Sequence, residues 1–490
     1  VTATRGGRAE PLRLVVDFVL LSGGEATSKI IGFVAFAHLA RVLAPEAYGT
    51  VEFTVSLALF FASFVDAGLG PIGAREVARD RAASVGLAAA IPSARLLIAA
   101  VVAPLMWGIG AWVEPEAAPL VALYAAALLL LPFNQRWLLQ GLQQMAWVSG
   151  AQIVRMGVFA LGVIVLVRTP DALVVVGRVE VVAALALAAY FVIVQTARAT
   201  PFRLVFAPRR LVALVREGLP IGLGEIVWSL NQSLPTFLVA SLVGGPAIGL
   251  FAAASRIVVS LASFSQLYHF NLFPAVSQAL GRSVAEYERF VNVSYRLTAW
   301  AGSALGLAGS LLAAPVVTGV FGDAFAASTL PLAILIWSVP ATIQSGHARW
   351  GLIAAGHQRV VLYAQLAGAL TTAGVGLLAV PRWGASGAAA TMLASQLAVW
   401  AVAHSVATRH VGRLPTLRAL PPLLAAGVGA AAGRLLTPSP WLAFAVAAGV
   451  FLASMPVLDR RLVGEARGLL AAVRGARGRR AGARNGSGEG

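Results

Sequence analysis

Apolar stretches long enough to cross a bilayer follow one another almost from end to end of this chain, parted by short polar or turn-forming connections. Fourteen of them fall near 14–39, 48–70, 85–112, 119–139, 147–167, 172–196, 217–243, 248–273, 292–319, 329–354, 360–380, 386–407, 419–436 and 441–457. About 20 consecutive apolar residues span the hydrocarbon as a helix, the one open-ended element that satisfies its own backbone hydrogen bonds there. The pattern predicts an all-α, polytopic membrane protein of about 14 transmembrane helices. Turn chemistry marks seven connections: Ala44-Pro45-Glu46, Glu114-Pro115-Glu116, Thr169-Pro170-Asp171, Gly244-Gly245-Pro246, Phe321-Gly322-Asp323, Pro381-Arg382-Trp383-Gly384 and Thr437-Pro438-Ser439-Pro440. These alternate with connections that are basic or polar.

Composition agrees: 59% of residues are hydrophobic and 12% charged. The net charge of +17 would suggest nucleic acid in a soluble protein. Here the charge instead sorts by side. Arg75, Arg79 and Arg81, then Arg198, Arg203, Arg209, Arg210 and Arg216, then Arg282, Arg289, Arg359, Arg409, Arg413 and Arg418 fall on one side, with Arg5, Arg8 and Arg13 and the arginine-rich tail. The other side holds Arg41, Arg168, Arg382 and Arg434. Positive charge gathers on cytoplasmic loops, so both termini are expected in the cytoplasm and the first helix is read as retained. Localisation in a bacterial cytoplasmic (inner) membrane follows. Cysteine is absent, the six histidines show no ligand spacing, and no phosphate loop or serine elbow occurs. No metal, no cofactor, no nucleic-acid partner and no enzymatic activity are expected; connections of a few residues leave no room for a large catalytic loop.

A shift of 200 residues exposes an internal echo. Leu14-Val15, Gly24-Glu25, Ala40, Ala47, Gly49 and Ala62-Ser63-Phe64 recur as Leu214-Val215, Gly224-Glu225, Ala240, Ala247, Gly249 and Ala262-Ser263-Phe264. Repeats of this kind underlie many transporter folds. The echo predicts two pseudo-symmetric six-helix lobes plus a C-terminal helix pair. The chain divides into an N-terminus (1–13), N-lobe (14–196), basic linker (197–216), C-lobe (217–410), helices 13 and 14 (411–457) and a basic, disordered tail (458–490).

Polar stripes run inside several spans. Lys29, the only lysine, follows Glu25 by one helical turn, with Ser22 a turn earlier. An ionised group facing lipid costs roughly 2.5–3.5 kcal/mol on insertion scales, so this face should look inward. One reading is a self-neutralising i,i+4 ion pair; the other is a cation offered to an anionic substrate, with Glu25 carrying a proton. Span 2 carries Glu52, Ser56, Ser63 and Asp66. Span 7 carries Glu225, Ser229, Gln232 and Thr236, with Asn231 beside the helix-breaking Pro235. Span 8 carries Arg256, Ser260 and Ser263, and span 10 carries Ser338, Thr342, Ser345 and Arg349. Arginine grips phosphate oxygens bidentately, so Lys29, Arg256, Arg349 and Arg296 are the candidate cavity cations. Ser229, Asn231, Gln232 and Ser260 are candidate polar contacts, and Glu25, Glu225 and Glu52 are candidates for ion coupling. Arg95, Arg136 and Arg296 lie near cytoplasmic helix ends, where one or two of them are expected to snorkel to the interface. Arg155 and Arg178 have two options: to pair with Glu180 or to face lipid headgroups.

Ala40-Arg41-Val42-Leu43-Ala44-Pro45-Glu46-Ala47-Tyr48-Gly49, Asp66-Ala67-Gly68-Leu69-Gly70 and Arg75-Glu76-Val77-Ala78-Arg79-Asp80 resemble the opening of the polysaccharide-transport, Wzx-like oligosaccharide flippase family. Leu139-Gln140-Gly141-Leu142-Gln143 and Ala355-Gly356-His357-Gln358 add to the likeness. That family shares a superfamily with multidrug extruders and the lipid II flippase. The resemblance implies two lobes around a cationic cavity that opens alternately to each side. The cargo would be a lipid-linked oligosaccharide on an isoprenoid diphosphate, with H+ or Na+ as coupling ion, in the synthesis of cell-surface polysaccharide such as the O-antigen of lipopolysaccharide. Polysaccharide polymerase and glycosyltransferases would be its partners. Lys29 and Arg256 match cations on helices 1 and 8 of the lipid II flippase; Glu52 stands where helix 2 would carry a third. A drug or metabolite antiporter, a lipid II flippase, a glycan polymerase or ligase, and an inert scaffold are the rival readings.

Overall fold

A computed structural model describes residues 10–459, with side chains described from Gly23 onward. The tail from Arg460, the first nine residues with Arg5 and Arg8, and the side chains of Arg13 and Ser22 lie outside the described residues. Among the described residues all regular structure is helical. In chain order the helices are α1 (Glu10–Asp66), α2 (Leu69–Arg79), α3 (Ala83–Val113), α4 (Ala118–Leu128), α5 (Arg136–Gly141), α6 (Met145–Leu166), α7 (Leu173–Arg198), α8 (Pro208–Leu242) and α9 (Pro246–Arg282). They continue as α10 (Val284–Leu311), α11 (Ala313–Phe321), α12 (Thr329–Leu335), α13 (Ser338–Ala354), α14 (Gln358–His410), α15 (Leu420–Leu436) and α16 (Pro440–Leu458).

Among the described residues, ten helical segments are long and apolar enough to cross a membrane, or eleven with the bent pair α10–α11. Two of them are double. α1 is broken at Ala44 (φ 58°, ψ 173°), where Pro45 bars the preceding residue from the helical region and then starts the next helix. α14 is broken at Gly384 (φ 51°, ψ −125°), a conformation that needs a residue without Cβ. With both divided, and with α8, whose Glu225, Asn231 and Gln232 dilute its apolar character, the fourteen expected spans are present. All seven turn-forming connections fall between helices or at these two kinks.

Several helices depart from the expected outline for local reasons. The fourth span stops at Leu128, passes through a 3-10 turn at Leu131–Phe133 and resumes as α5; Pro132 lacks an N–H, and the Asn134 side chain accepts from the Arg136 N–H instead. The tenth is interrupted between α12 and α13, and the ninth bends by 69° between α10 and α11. α8, α9 and α10 overrun their predicted spans at the arginine-rich ends. α2 was not foreseen: it buries Leu69, Ile72 and Val77 while showing Arg75 and Arg79 outward. α8 runs unbroken through Pro235, which is buried.

The fold groups into two compact units. One comprises the chain through Ser263 with Val316–Leu335 and Leu362–Val399; the other comprises Phe264–Pro315, Ile336–Val361 and the chain from Trp400. In the first, Leu69, Val77, Ile91, Trp137 and Leu138 form one core cluster, and Leu139, Val148, Leu187 and Phe191 another. In the second, Trp300, Leu307 and Leu311 pack on Ala426, Ala447 and Phe451 of α15 and α16.

The 200-residue echo reappears in space within the first unit. A Cβ on Gly49 would lie 2.7 Å from the Gly249 backbone nitrogen, and one on Gly249 would lie 1.9 Å from the Pro45 oxygen. Residues that correspond across the repeat therefore touch each other, as a two-fold relation requires on its axis. Neighbouring contacts follow the same relation. Ser233 donates to the Ser56 oxygen at 3.2 Å, and Arg256, the counterpart of Ser56, lies over the ring of Phe36, one turn beyond the counterpart of Ser233.

Candidate functional site

In the first unit several paired charged side chains line two cavities. Glu52 lies one turn after Tyr48 on the second arm of α1, so both point to one side. The Tyr48 hydroxyl donates to Glu52 Oε1 at 2.5 Å, and Arg256 of α9 donates to the same oxygen from Nε at 3.1 Å and Nη2 at 2.5 Å. Its guanidinium carbon sits 3.6 Å from the Phe36 ring centroid, a cation–π contact from the first arm of α1. Tyr48 and Glu52 are buried. Arg256 also lines a cavity of about 350 Å³ with Phe36, Tyr124, Asn134, Gln152, Arg155 and Glu180. A buried charge is tolerated only when paired and hydrogen-bonded; removing one partner costs about 3–5 kcal/mol.

Three further pairs repeat this arrangement. Arg155 of α6 is bonded to Glu180 of α7. Arg95 of α3 is bonded to Asp66 and donates to the Asn134 oxygen at 3.1 Å. Arg136, at the start of α5, donates to Glu25 at 2.9 Å. A second cavity, of about 460 Å³, is lined by Asp66, Arg95, Asn134, Arg136 and Gln140. Ala62, Leu131 and Asn134 line both cavities, so the two adjoin at the break between α4 and α5.

Glu25 therefore bonds to Arg136 rather than to Lys29, and the i,i+4 pair does not form. The reason is the broken fourth span, which brings Arg136 to α1. Lys29 is exposed and has no ion-pair partner among the described residues. Ser229 donates to the Leu59 oxygen at 3.3 Å, and Ser260 to the Arg256 oxygen at 2.7 Å. Asn231 donates to Gln365 at 2.9 Å and accepts from Ser395 at 3.3 Å, while Gln232 and Glu225 are exposed on α8. Arg296 and Arg349 belong to the second unit. Arg296 is buried, with Asp459 at 3.4 Å, and Arg349 is half-buried on α13. Of the three arginines near helix ends, Arg95 and Arg296 are each 4% exposed or less and face a carboxylate. Arg155 takes Glu180, as one of the two sequence options had it, and Arg178 is exposed.

The cluster also contains residues that the sequence reading passed over. Tyr48 and Phe36 hold Glu52 and Arg256, and Asn134 stands between the cavities. Tyr48 was legible as the i−4 neighbour of Glu52. Asn134-Gln135-Arg136 was legible as a polar run in an otherwise apolar span.

This fold is that of an all-helical, multi-pass membrane protein. It is similar to the lipid II flippase MurJ in an inward closed conformation: TM-score 0.71 and 11% identity, over 91% of this chain and 100% of that one. It is also similar to a multidrug resistance MATE family transporter of the MOP superfamily in an inward-facing conformation, with TM-score 0.63 and 13% identity over 78% and 94% of the two chains. A MOP superfamily transporter from Pyrococcus furiosus follows, with TM-score 0.52 and 14% identity over 82% and 95%. At such identities these likenesses establish the fold alone. No curated protein matches by sequence. The sequence profile of the polysaccharide biosynthesis protein family matches residues 14–280, more than half of the chain, and the chain belongs to that family.

Proposed function

We infer that this protein is a flippase that moves isoprenoid-diphosphate-linked oligosaccharide across the bacterial cytoplasmic membrane by alternating access, for cell-surface polysaccharide such as O-antigen. Both termini face the cytoplasm in this reading, and the protein performs no covalent chemistry. The observation that carries it is Arg256, a cation on a cavity wall whose counter-ion is a neighbouring carboxylate.

Glu52 acts as a placeholder for cargo. An entering diphosphate competes with it for Arg256, whose planar fork suits phosphate oxygens. Glu52 keeps its bond from Tyr48 and takes up the coupling proton as it is displaced. The exchange conserves favourable charge contacts, worth about 4 kcal/mol for a pair at 4 Å with an effective dielectric of 20, rather than burying a new charge unpaired. Lys29 has no ion pair to give up and lies two turns before Phe36 on one face of α1, so it supplies the second positive charge. Glu25 and Arg136 form a second exchangeable pair. Arg296 and Arg349 extend the cationic lining in the C-terminal half, and Ser229, Asn231, Gln232, Ser260 and Glu225 meet sugar hydroxyls and water.

A reconstituted flipping assay with lipid-linked glycans tests this. Lys29→Ala and Arg256→Ala should each abolish transport while the protein stays in the membrane; normal transport by the double variant overturns the assignment. The carboxylate beside each of the four paired arginines favours one second reading, an extruder of cationic compounds. Protection of cells against cationic drugs, lost in Glu52→Gln, would establish that reading instead.

A further inference from the structure

The second unit holds a buried histidine cluster that neither the family nor the flippase reading explains. His269 of α9 and His347 of α13 meet edge to face, with ring centroids 4.9 Å apart, and each is 3% exposed or less. Their hydrogen bonds fix which nitrogens carry protons. His269 Nδ1 lies 2.8 Å from the Ser265 oxygen and His347 Nδ1 lies 3.2 Å from the Ile343 oxygen, both carbonyl acceptors, so each Nδ1 donates. Each Nε2 then presents a lone pair. That of His347 accepts from Ser294 of α10 at 2.8 Å, and Ser294 in turn accepts from Tyr268 at 2.6 Å. That of His269 is buried and has no partner among the described residues. Buried acceptors are almost always satisfied, so an open one calls for a reason.

The surroundings look built around that lone pair. A Cβ on residue 346 would lie 2.3 Å from His269 Cε1 and 2.5 Å from Nε2, so only glycine leaves room for the ring. The groups facing the pair are Tyr268 and Ser265 on α9, Ser294 and Tyr295 on α10, and Gln344 and Arg349 on α13. Among the described residues neither ring contacts a carboxylate. Arg349 is the permanent charge whose field reaches His269.

We propose that His269 and His347 form a proton-binding site: one proton, taken from water, adds to His269 Nε2 and turns the neutral pair into an imidazolium–imidazole pair. The added charge meets the positive field of Arg349 and a second imidazole in close packing. Proton binding therefore favours a conformation in which α9 and α13 part and water reaches the rings, and by linkage that parted conformation holds the proton more tightly than the packed one. α9 also carries Arg256, so a proton-dependent movement of this helix acts on a cargo residue. That link to transport rests on the flippase reading; the proton site itself does not.

The test needs no cargo. The chain has no cysteine, so spin labels at Asn271→Cys on α9 and Ala354→Cys at the end of α13 report the α9–α13 separation. The distance distribution should gain a second, longer population between pH 8 and pH 5.5. In a His269→Gln/His347→Gln background it should be the same at both pH values. Ser294→Ala keeps both rings and should move the midpoint of the change without abolishing it, which also serves if the double variant proves unstable. A wild-type distribution indifferent to pH overturns the proposal, as does a pH response that survives loss of both rings or a midpoint unmoved by Ser294→Ala.

Discussion

Arg256 and His269 stand on one helix and are accommodated in opposite ways. Arg256 is permanently charged, and its neighbours answer with a carboxylate, a phenol feeding that carboxylate and an aromatic face. His269 can be neutral, and its neighbours offer a carbonyl, a second imidazole and a glycine gap. A membrane interior accepts an ionisable group either by supplying a lasting counter-ion or by allowing the group to give up its charge. On the proposed reading, the first solution holds a site ready for anionic cargo and the second makes a site responsive to protons.

The two solutions should fail differently, and the size of the failure separates them. The largest effect is expected from Glu52→Ala, which strands Arg256 and should lower stability by about 3–5 kcal/mol. Glu52→Gln with Arg256→Gln should recover most of that loss while transport stays absent. Thermal unfolding in detergent, read beside flipping, checks both. Ser294→Ala in the histidine cluster strands no charge and should cost only about 1–3 kcal/mol, the range for one buried hydrogen-bonding group left unsatisfied. Equal losses at the two sites would mean that the histidine pair is charged in this conformation.

Crowding gives a middle-sized test. Gly346→Ala presses on the His269 ring, and Gly249→Ala presses on the backbone at Pro45. Overpacking typically costs about 1–3 kcal/mol. Gly346→Ala should also shift the pH response reported by labels on α9 and α13, whereas Gly249→Ala should lower stability and leave that response alone.

The smallest effect belongs to a carboxyl outside the spans. Burial pushes the Glu114 carboxyl up, and Glu116 and Glu46 add to the rise. A raised folded-state value means that the fold binds this proton more tightly than the unfolded chain does. The stability it contributes is full below the ordinary carboxylate range and is lost as pH rises through the raised value. Glu114→Gln should flatten stability against pH in that window only, and should leave the histidine-dependent response unchanged.

Much of the architecture was legible because hydropathy and turn residues act locally. Ala44-Pro45 and Gly384 mark the two kinks, and the Gly49–Gly249 echo marks a real close approach. The site was legible only in part. Hydropathy tells how deep a residue lies, not which neighbour it faces, so the Glu25–Arg136 bond across 111 positions was hidden behind the nearer Lys29. The break at Pro132 that enables it interrupts a span without changing its overall apolar character. The histidines were counted but not joined, because residues 269 and 347 meet through the packing of α9 on α13 rather than through any spacing in the chain.

Binding of isoprenoid diphosphate and isoprenoid monophosphate to the purified protein addresses the cargo reading most directly. Wild type should prefer the diphosphate by about tenfold or more, equivalent to roughly 1.4 kcal/mol, and Lys29→Ala and Arg256→Ala should each erase the preference. A wild-type protein that binds both lipids equally, or a double variant that still prefers the diphosphate, would contradict it.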